Sequence, residues 1–173
     1  MLELVLGGAA SGKSECAERL ALDTDPHPIY LATMERGDPA GELRIDRHVK
    51  RREGSGFITV EQPRNAHLAA PFVKGHTVLL ECMTNLAANE LFGAGVRDTG
   101  TGSAFIRLKL ALDKLEEASD RLIVVSGDIF RDGMIYDPMT EEYMRLLADM
   151  NRYMAERARH VYEAVFGCCR KVR

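Results

Sequence analysis

Residues Gly7-Gly8-Ala9-Ala10-Ser11-Gly12-Lys13-Ser14 follow the apolar run Leu2–Leu6 without a spacer and lead directly into the helix-like stretch Glu15–Leu22. That order satisfies G-x-x-x-x-G-K-[ST] in the strand, loop and helix setting the pattern requires. Glycines let consecutive backbone N–H groups turn inward as an anion nest, and the following helix presents its positive end to the same place. The cradle suits a nucleoside triphosphate, with Lys13 reaching the β- and γ-phosphates and the Ser14 hydroxyl ligating Mg2+. It also constrains the fold, because such a P-loop sits at the carboxyl end of a first parallel strand in an α/β domain.

The rest of the chain supplies matching elements. Ile29–Ala32, Val78–Leu80, Leu122–Val125 and Val161–Phe166 are short apolar runs without clean alternation, which predicts strands buried on both faces. Phe57–Glu61 reads as a sixth strand or an extended loop. Between the runs, Thr140–Arg159 carries Tyr143, Leu146, Leu147, Met150, Tyr153, Met154 and Ala158 at helical spacing behind Pro138. Phe105–Glu117 does the same with Leu108, Leu112 and Leu115. The glycine-rich stretches 93–95 and 98–103 predict a connector. Alternating strands and helices predict a doubly wound α/β domain, mostly parallel, with helices on both faces.

A chain of 173 residues that is 46% hydrophobic predicts one domain over residues 1–173 with a substantial core. A net charge of −3 with both signs dispersed gives no reason to expect nucleic acid as a partner. No run approaches the length of a membrane span, and no signal pattern precedes the first strand, so the chain reads as cytoplasmic. Cys16, Cys82, Cys168 and Cys169 have no C-x-x-C spacing and predict reduced, structural thiols.

Three places outside the loop could carry chemistry. Glu81 closes Val78–Leu80, where a carboxylate at the end of a second strand could serve a loop-bound Mg2+, since this ion prefers hard oxygen ligands. A surface glutamate ending a strand is the alternative, and the P-loop partner favours the metal- or nucleotide-linked role. Asp128, just past Leu122–Val125 and Ser126, is a second candidate by position. In Arg44-Ile45-Asp46-Arg47-His48-Val49-Lys50-Arg51-Arg52, Arg44 and His48 share a helix face, and Arg52 extends it. A neutral imidazole framed by guanidinium groups suits attack on phosphorus, although such a run is also what a solvated basic helix looks like. His27, His67, His76 and His160 lack any comparable cationic frame.

The P-loop, then Ile29–Thr33, Arg44-Ile45 with His48 and Arg52, Thr59-Val60-Glu61, and Leu79-Leu80-Glu81-Cys82-Met83-Thr84-Asn85-Leu86 with Asn89 follow an order and spacing of their own. Together they resemble the bifunctional adenosylcobinamide kinase/adenosylcobinamide-phosphate guanylyltransferase family of cobalamin biosynthesis. Leu122–Ser126, Asn151-Arg152 and Ala155 continue the likeness more loosely. The resemblance implies a RecA-like P-loop fold and two activities. One is phosphorylation of adenosylcobinamide. The other is transfer of GMP from GTP to adenosylcobinamide-phosphate through a histidine–GMP intermediate.

Carried over by position, His48 is the nucleophile, Thr33 and Val49, Lys50, Arg51 and Arg52 line the guanylyl nucleotide, and Glu61 and Glu81 complete the site. GTP, ATP and Mg2+ are the implied cofactors, and a homo-oligomer, a trimer with sites at subunit boundaries, is the implied assembly. The chain departs from the family at Ser126-Gly127-Asp128-Ile129-Phe130 and Met134-Ile135-Tyr136-Asp137-Pro138, where an Asn-Glu pair and a Val-Pro segment are usual. An enzyme retaining guanylyl transfer alone, a P-loop kinase for another alcohol and a nucleotide-binding regulator are the competing readings. ATP and GTP are both open as the kinase donor.

Overall fold

The computed structural model describes residues 1–35, 54–93, 100–130 and 132–173. Its strands are β1 (Leu2–Gly7), β2 (Ile29–Ala32), β3 (Ile58–Glu61), β4 (Thr77–Glu81), β5 (Arg121–Gly127), β6 (His160–Val165) and β7 (Cys168–Lys171). The helices are α1 (Lys13–Leu22), α2 (Met83–Phe92), α3 (Thr101–Ala118) and α4 (Pro138–Arg157), with a 3-10 segment at Ala66–Phe72. One seven-stranded sheet has the order β3-β2-β4-β5-β1-β6-β7. Every pairing is parallel except the β6–β7 hairpin.

The strands contribute alternate residues to two cores. Leu2, Leu4, Leu31, Leu80 and Val124 pack under α2, α3 and α4, whereas Val5, Tyr30, Leu79, Ile123 and Val125 pack under Cys16, Ala17 and Ala21 of α1. Both faces are covered, so the central strands are apolar throughout and their sequences do not alternate. This is the expected P-loop architecture with helices on both faces. Phe57–Glu61 resolves as an edge strand, β3, parallel to β2.

Several boundaries differ from expectation for identifiable reasons. Asp137 caps α4 by accepting from the backbone N–H groups of Met139 and Thr140, and Pro138 occupies the first turn, so the helix starts at Pro138 rather than Thr140. It stops at Arg157, because the Arg159 N–H instead donates to Leu2 O at 2.8 Å and starts the return to the sheet. α3 begins at Thr101, inside the stretch expected as a connector. β6 ends at Val165, and Phe166 with Gly167 forms a turn into β7.

A buried ion pair ties the sheet to α1. Arg121 donates to Glu3 Oε2 at 2.6 Å and also to Leu20 O and the Thr24 hydroxyl. The expectation of reduced thiols is corrected for one pair: Cys16 of α1 and Cys169 of β7 form a disulfide between Cα atoms 5.9 Å apart. The fold lays β7 beside the first turn of α1, a proximity across 153 residues that spacing could not reveal. Cys82 and Cys168 are free thiols.

Candidate functional site

The phosphate loop is shaped by close backbone approach. A Cβ on Gly7 would fall 2.7 Å from Ala164 O, and one on Gly12, which has φ +90, would fall 2.9 Å from Gly167 Cα. Neither position admits a side chain. Ala10 also takes a left-handed φ of 54, which turns the loop back toward α1. Gly8 and Ala9 complete the turn, and the Ser11 hydroxyl is buried against Gly7.

Two side chains close the loop from within. Lys13 Nζ donates to Gly8 O at 2.9 Å, so the ammonium spans the loop where phosphate oxygens belong. Ser14 Oγ donates to Glu81 Oε1 at 2.8 Å, bringing the carboxyl end of β4 to the first turn of α1. A serine hydroxyl and a carboxylate at this separation are hard oxygen donors, and they fit a Mg2+ that completes its octahedron with phosphate oxygens and water. Among the described residues, no group of three or more His, Cys, Asp or Glu forms a separate metal cluster.

Beside the loop lies a cavity of 300 Å3 lined by Gly7, Ala9, Lys13 and Ser14 on one side. Tyr30, Ala32, Met34, Thr59, Glu61, Glu81, Cys82, Thr84, Asn85, Gly127 and Ile129 form the rest of its wall. Strand register explains the constellation. Ala32 stands opposite Glu61 on one neighbour and opposite Glu81 on the other, and Tyr30 stands opposite Thr59. The small Ala32 leaves open space between two glutamates, one on each flanking strand.

The Thr33 side chain is fully buried behind this wall. Its hydroxyl donates to Cys82 O at 2.8 Å and accepts from Cys82 N at 2.7 Å, fixing the backbone immediately after Glu81. Asn89 of α2 donates from Nδ2 to Thr33 O and to Pro63 O, holding the ends of β2 and β3 together. Burial, reinforced by the Glu81 charge, pushes the Cys82 thiol up, which keeps it protonated and unreactive near neutral pH. Tyr143 donates to Thr84 O, and burial pushes its phenol up to about 12.

The described structure thus brings together the P-loop, Glu61 and Glu81, with Thr33 as a buttress rather than a lining group. Asp128 donates its N–H to Gly7 O but does not line the cavity beside the loop, lining two neighbouring ones instead. His48, Val49, Lys50, Arg51 and Arg52 lie outside the described residues, as does Arg44. Tyr30 and Met34 are cavity residues that the sequence reading did not single out; the shared facing of Tyr30 and Ala32 along a strand was the available signal.

The sequence profile of the family described as "Cobinamide kinase / cobinamide phosphate guanyltransferase" matches residues 3–172. The bifunctional adenosylcobalamin biosynthesis protein CobP of Pseudomonas aeruginosa is 31% identical over 170 residues, covering 96% of this chain and 94% of that protein. The corresponding CobU protein of Salmonella typhimurium is 25% identical over 183 residues, covering both chains completely. Among solved structures, an ATPase from the type III secretion system of pathogenic bacteria superposes with a TM-score of 0.52 at 14% identity. That match covers 94% of this chain and 50% of the ATPase chain, and the likeness is one of fold. With the profile spanning nearly every residue and the P-loop closed onto the β4 glutamate, the chain belongs to the cobinamide kinase/cobinamide phosphate guanyltransferase family.

Proposed function

We propose that this protein phosphorylates adenosylcobinamide and then transfers GMP from GTP to the phosphorylated product, giving adenosylcobinamide-GDP. The observation that carries the reading is the Ser14–Glu81 hydrogen bond of 2.8 Å beside Lys13, set in a chain of this family. A loop-bound triphosphate displaces the Lys13 ammonium from Gly8 O onto its own oxygens, where the cation offsets charge developing on the leaving group. Mg2+, held by Ser14 with Glu81, supplies further neutralisation of the phosphates when bound. The chain's own task is positioning and charge complementarity, which carry most of the catalysis in such transfers.

In the GMP step His48 is the nucleophile. Its neutral imidazole attacks the α-phosphorus of GTP, the bond to the bridging oxygen breaks, and pyrophosphate leaves. The acceptor phosphate then displaces the imidazole. Glu61 and the segment Val49, Lys50, Arg51 and Arg52 surround that nucleotide, with the cations holding phosphate oxygens and Thr33 bracing the wall from behind. The phosphoryl donor is ATP or GTP. The protein acts as one cytoplasmic domain per chain and assembles as a homo-oligomer, with a trimer the expected form.

The test is incubation with GTP and Mg2+ followed by intact-mass measurement. A GMP-sized increase that is acid-labile, base-stable and absent from His48→Ala is expected, while phosphorylation of adenosylcobinamide persists in that variant. An adduct that survives the substitution would overturn the assignment of His48. Activity on adenosylcobinamide-phosphate but none on adenosylcobinamide would identify an enzyme retaining only the GMP step.

A further inference from the structure

β5 brings an acidic residue to the phosphate loop that the nucleotide does not use. Gly7 stands opposite Gly127 at the carboxyl ends of β1 and β5, and the pairing runs one residue further, with Asp128 N donating to Gly7 O at 3.0 Å. The Asp128 backbone is thereby fixed beside the first residue of the loop. An open cavity of 520 Å3 extends from here to the start of α4, lined by Ala9, Asp128, Ile129, Asp132, Tyr136 and Tyr143 among others. Ala9 and Ile129 also line the 300 Å3 cavity, so the two spaces adjoin at the loop.

The two transfers differ in what their acceptors require. An alcohol is neutral, so its phosphorylation needs a proton acceptor beside the attacking oxygen. A phosphate monoester has its second ionisation at about pH 6, so the acceptor of the GMP step already presents charged oxygens at neutral pH. Among the described residues, the carboxylates lining the two cavities are Glu61, Glu81, Asp128 and Asp132. Glu81 is engaged with Ser14, and Glu61 ends β3, which three strands separate from β1. The Tyr136 hydroxyl first, and then the Met134 N–H, hold the Asp132 carboxyl below the usual aspartate value, which makes it a poor base. Asp128 ends the strand adjacent to β1 and lines the cavity that opens onto the loop.

We propose that the cavity between the phosphate loop and α4 receives the alcohol arm of the acceptor, and that Asp128 is the base that takes its proton during phosphorylation. This rests on the two-step function proposed above. The acceptor oxygen attacks the γ-phosphorus of the donor, and the bond from that phosphorus to the β–γ bridging oxygen breaks. The nucleoside diphosphate leaves with the electron pair of that bond, and the hydroxyl proton passes to the Asp128 carboxylate. Asp128 therefore serves one of the two transfers, because the acceptor phosphate of the other has no proton that must be removed.

The test is Asp128→Asn in the full chain, which keeps the side-chain volume and the backbone hydrogen bond to Gly7. Phosphorylation is measured with adenosylcobinamide and ATP or GTP, and GMP transfer is measured separately with adenosylcobinamide-phosphate and GTP, each across a Mg2+ titration. We expect kcat for phosphorylation to fall roughly 100-fold or more, with KM for the donor and the whole of GMP transfer nearly unchanged. Asp128→Glu should recover part of the lost rate. A loss shared by both transfers, or one restored by raised Mg2+, would make Asp128 a structural or metal-linked residue and overturn the assignment. Phosphorylation at the wild-type rate in Asp128→Asn overturns the role of Asp128 alone, whereas a wild-type chain that phosphorylates no cobinamide overturns the proposed function and this role with it.

Discussion

Ser14 Oγ and Glu81 Oε1 lie 2.8 Å apart although their residues are separated by 67 positions in the chain. The serine begins α1 and the glutamate ends β4, so the sheet itself sets the spacing of the two oxygens. Replacing Glu81 by Gln keeps the volume and the hydrogen bond but removes the anion. We expect an unaltered fold by circular dichroism and a Mg2+ requirement raised roughly 10- to 100-fold in both transfers. An unchanged Mg2+ titration would make Glu81 a structural partner of Ser14 and nothing more.

Thr33 acts on the same carboxylate from behind. Its hydroxyl engages both the N–H and the C=O of Cys82, and Thr33→Val would leave both groups without that partner. The expected loss is about 1–3 kcal/mol in urea unfolding, accompanied by a weaker Mg2+ response because the backbone holding Glu81 loosens. Thr33→Ser retains the hydroxyl and should behave close to wild type. Equal losses in the two variants would show that the methyl group, rather than the hydrogen bonds, matters here.

The Glu3–Arg121 pair concerns stability alone. With side-chain exposures of 2% and 11%, neither charge can be rescued by water when its partner is removed. Arg121→Met should destabilise the fold by about 3–5 kcal/mol through the stranded Glu3 carboxylate. The double variant Glu3→Leu/Arg121→Met should regain much of that loss, and chemical denaturation of the full double-mutant cycle measures the coupling.

Asp137 links stability to pH. The Thr140 hydroxyl first, and then the N–H groups of Thr140 and Met139, hold its carboxyl below the usual aspartate value. A carboxylate whose folded value is depressed contributes fully above its unfolded value of about 3.9 and loses that contribution as pH falls through the folded one. The melting difference between wild type and Asp137→Ala should therefore be constant from pH 6 to 8 and shrink below about pH 4. A difference that persists in strong acid would mean the helix start depends on something other than the ionised cap.

The parts of the molecule that were legible in the sequence share a physical cause. Gly7 through Ser14 declare themselves because loop geometry admits few residue types, and the central strands do so because burial on both faces demands unbroken apolar runs. β7, with the sequence Cys-Cys-Arg-Lys, has no such signature. It exists through pairing with β6, not through its own propensity. Thr101 and Gly102 read as turn residues, yet they form the first turn of α3, where tertiary packing outweighs local preference. The flanking of Ala32 by Glu61 and Glu81 depended on a sheet register that sequence patterns do not specify.

β1 carries the phosphate loop, and its two neighbours are β5 and β6, residues 121–127 and 160–165. A chain emerging from the ribosome therefore exposes its loop long before the strands that must grip β1 have been made. No nucleotide can be held in native fashion until His160–Val165 has cleared the exit tunnel. Stalling shortly before that point should leave a nascent chain with a complete motif, an unpaired central strand and a need for protection from aggregation.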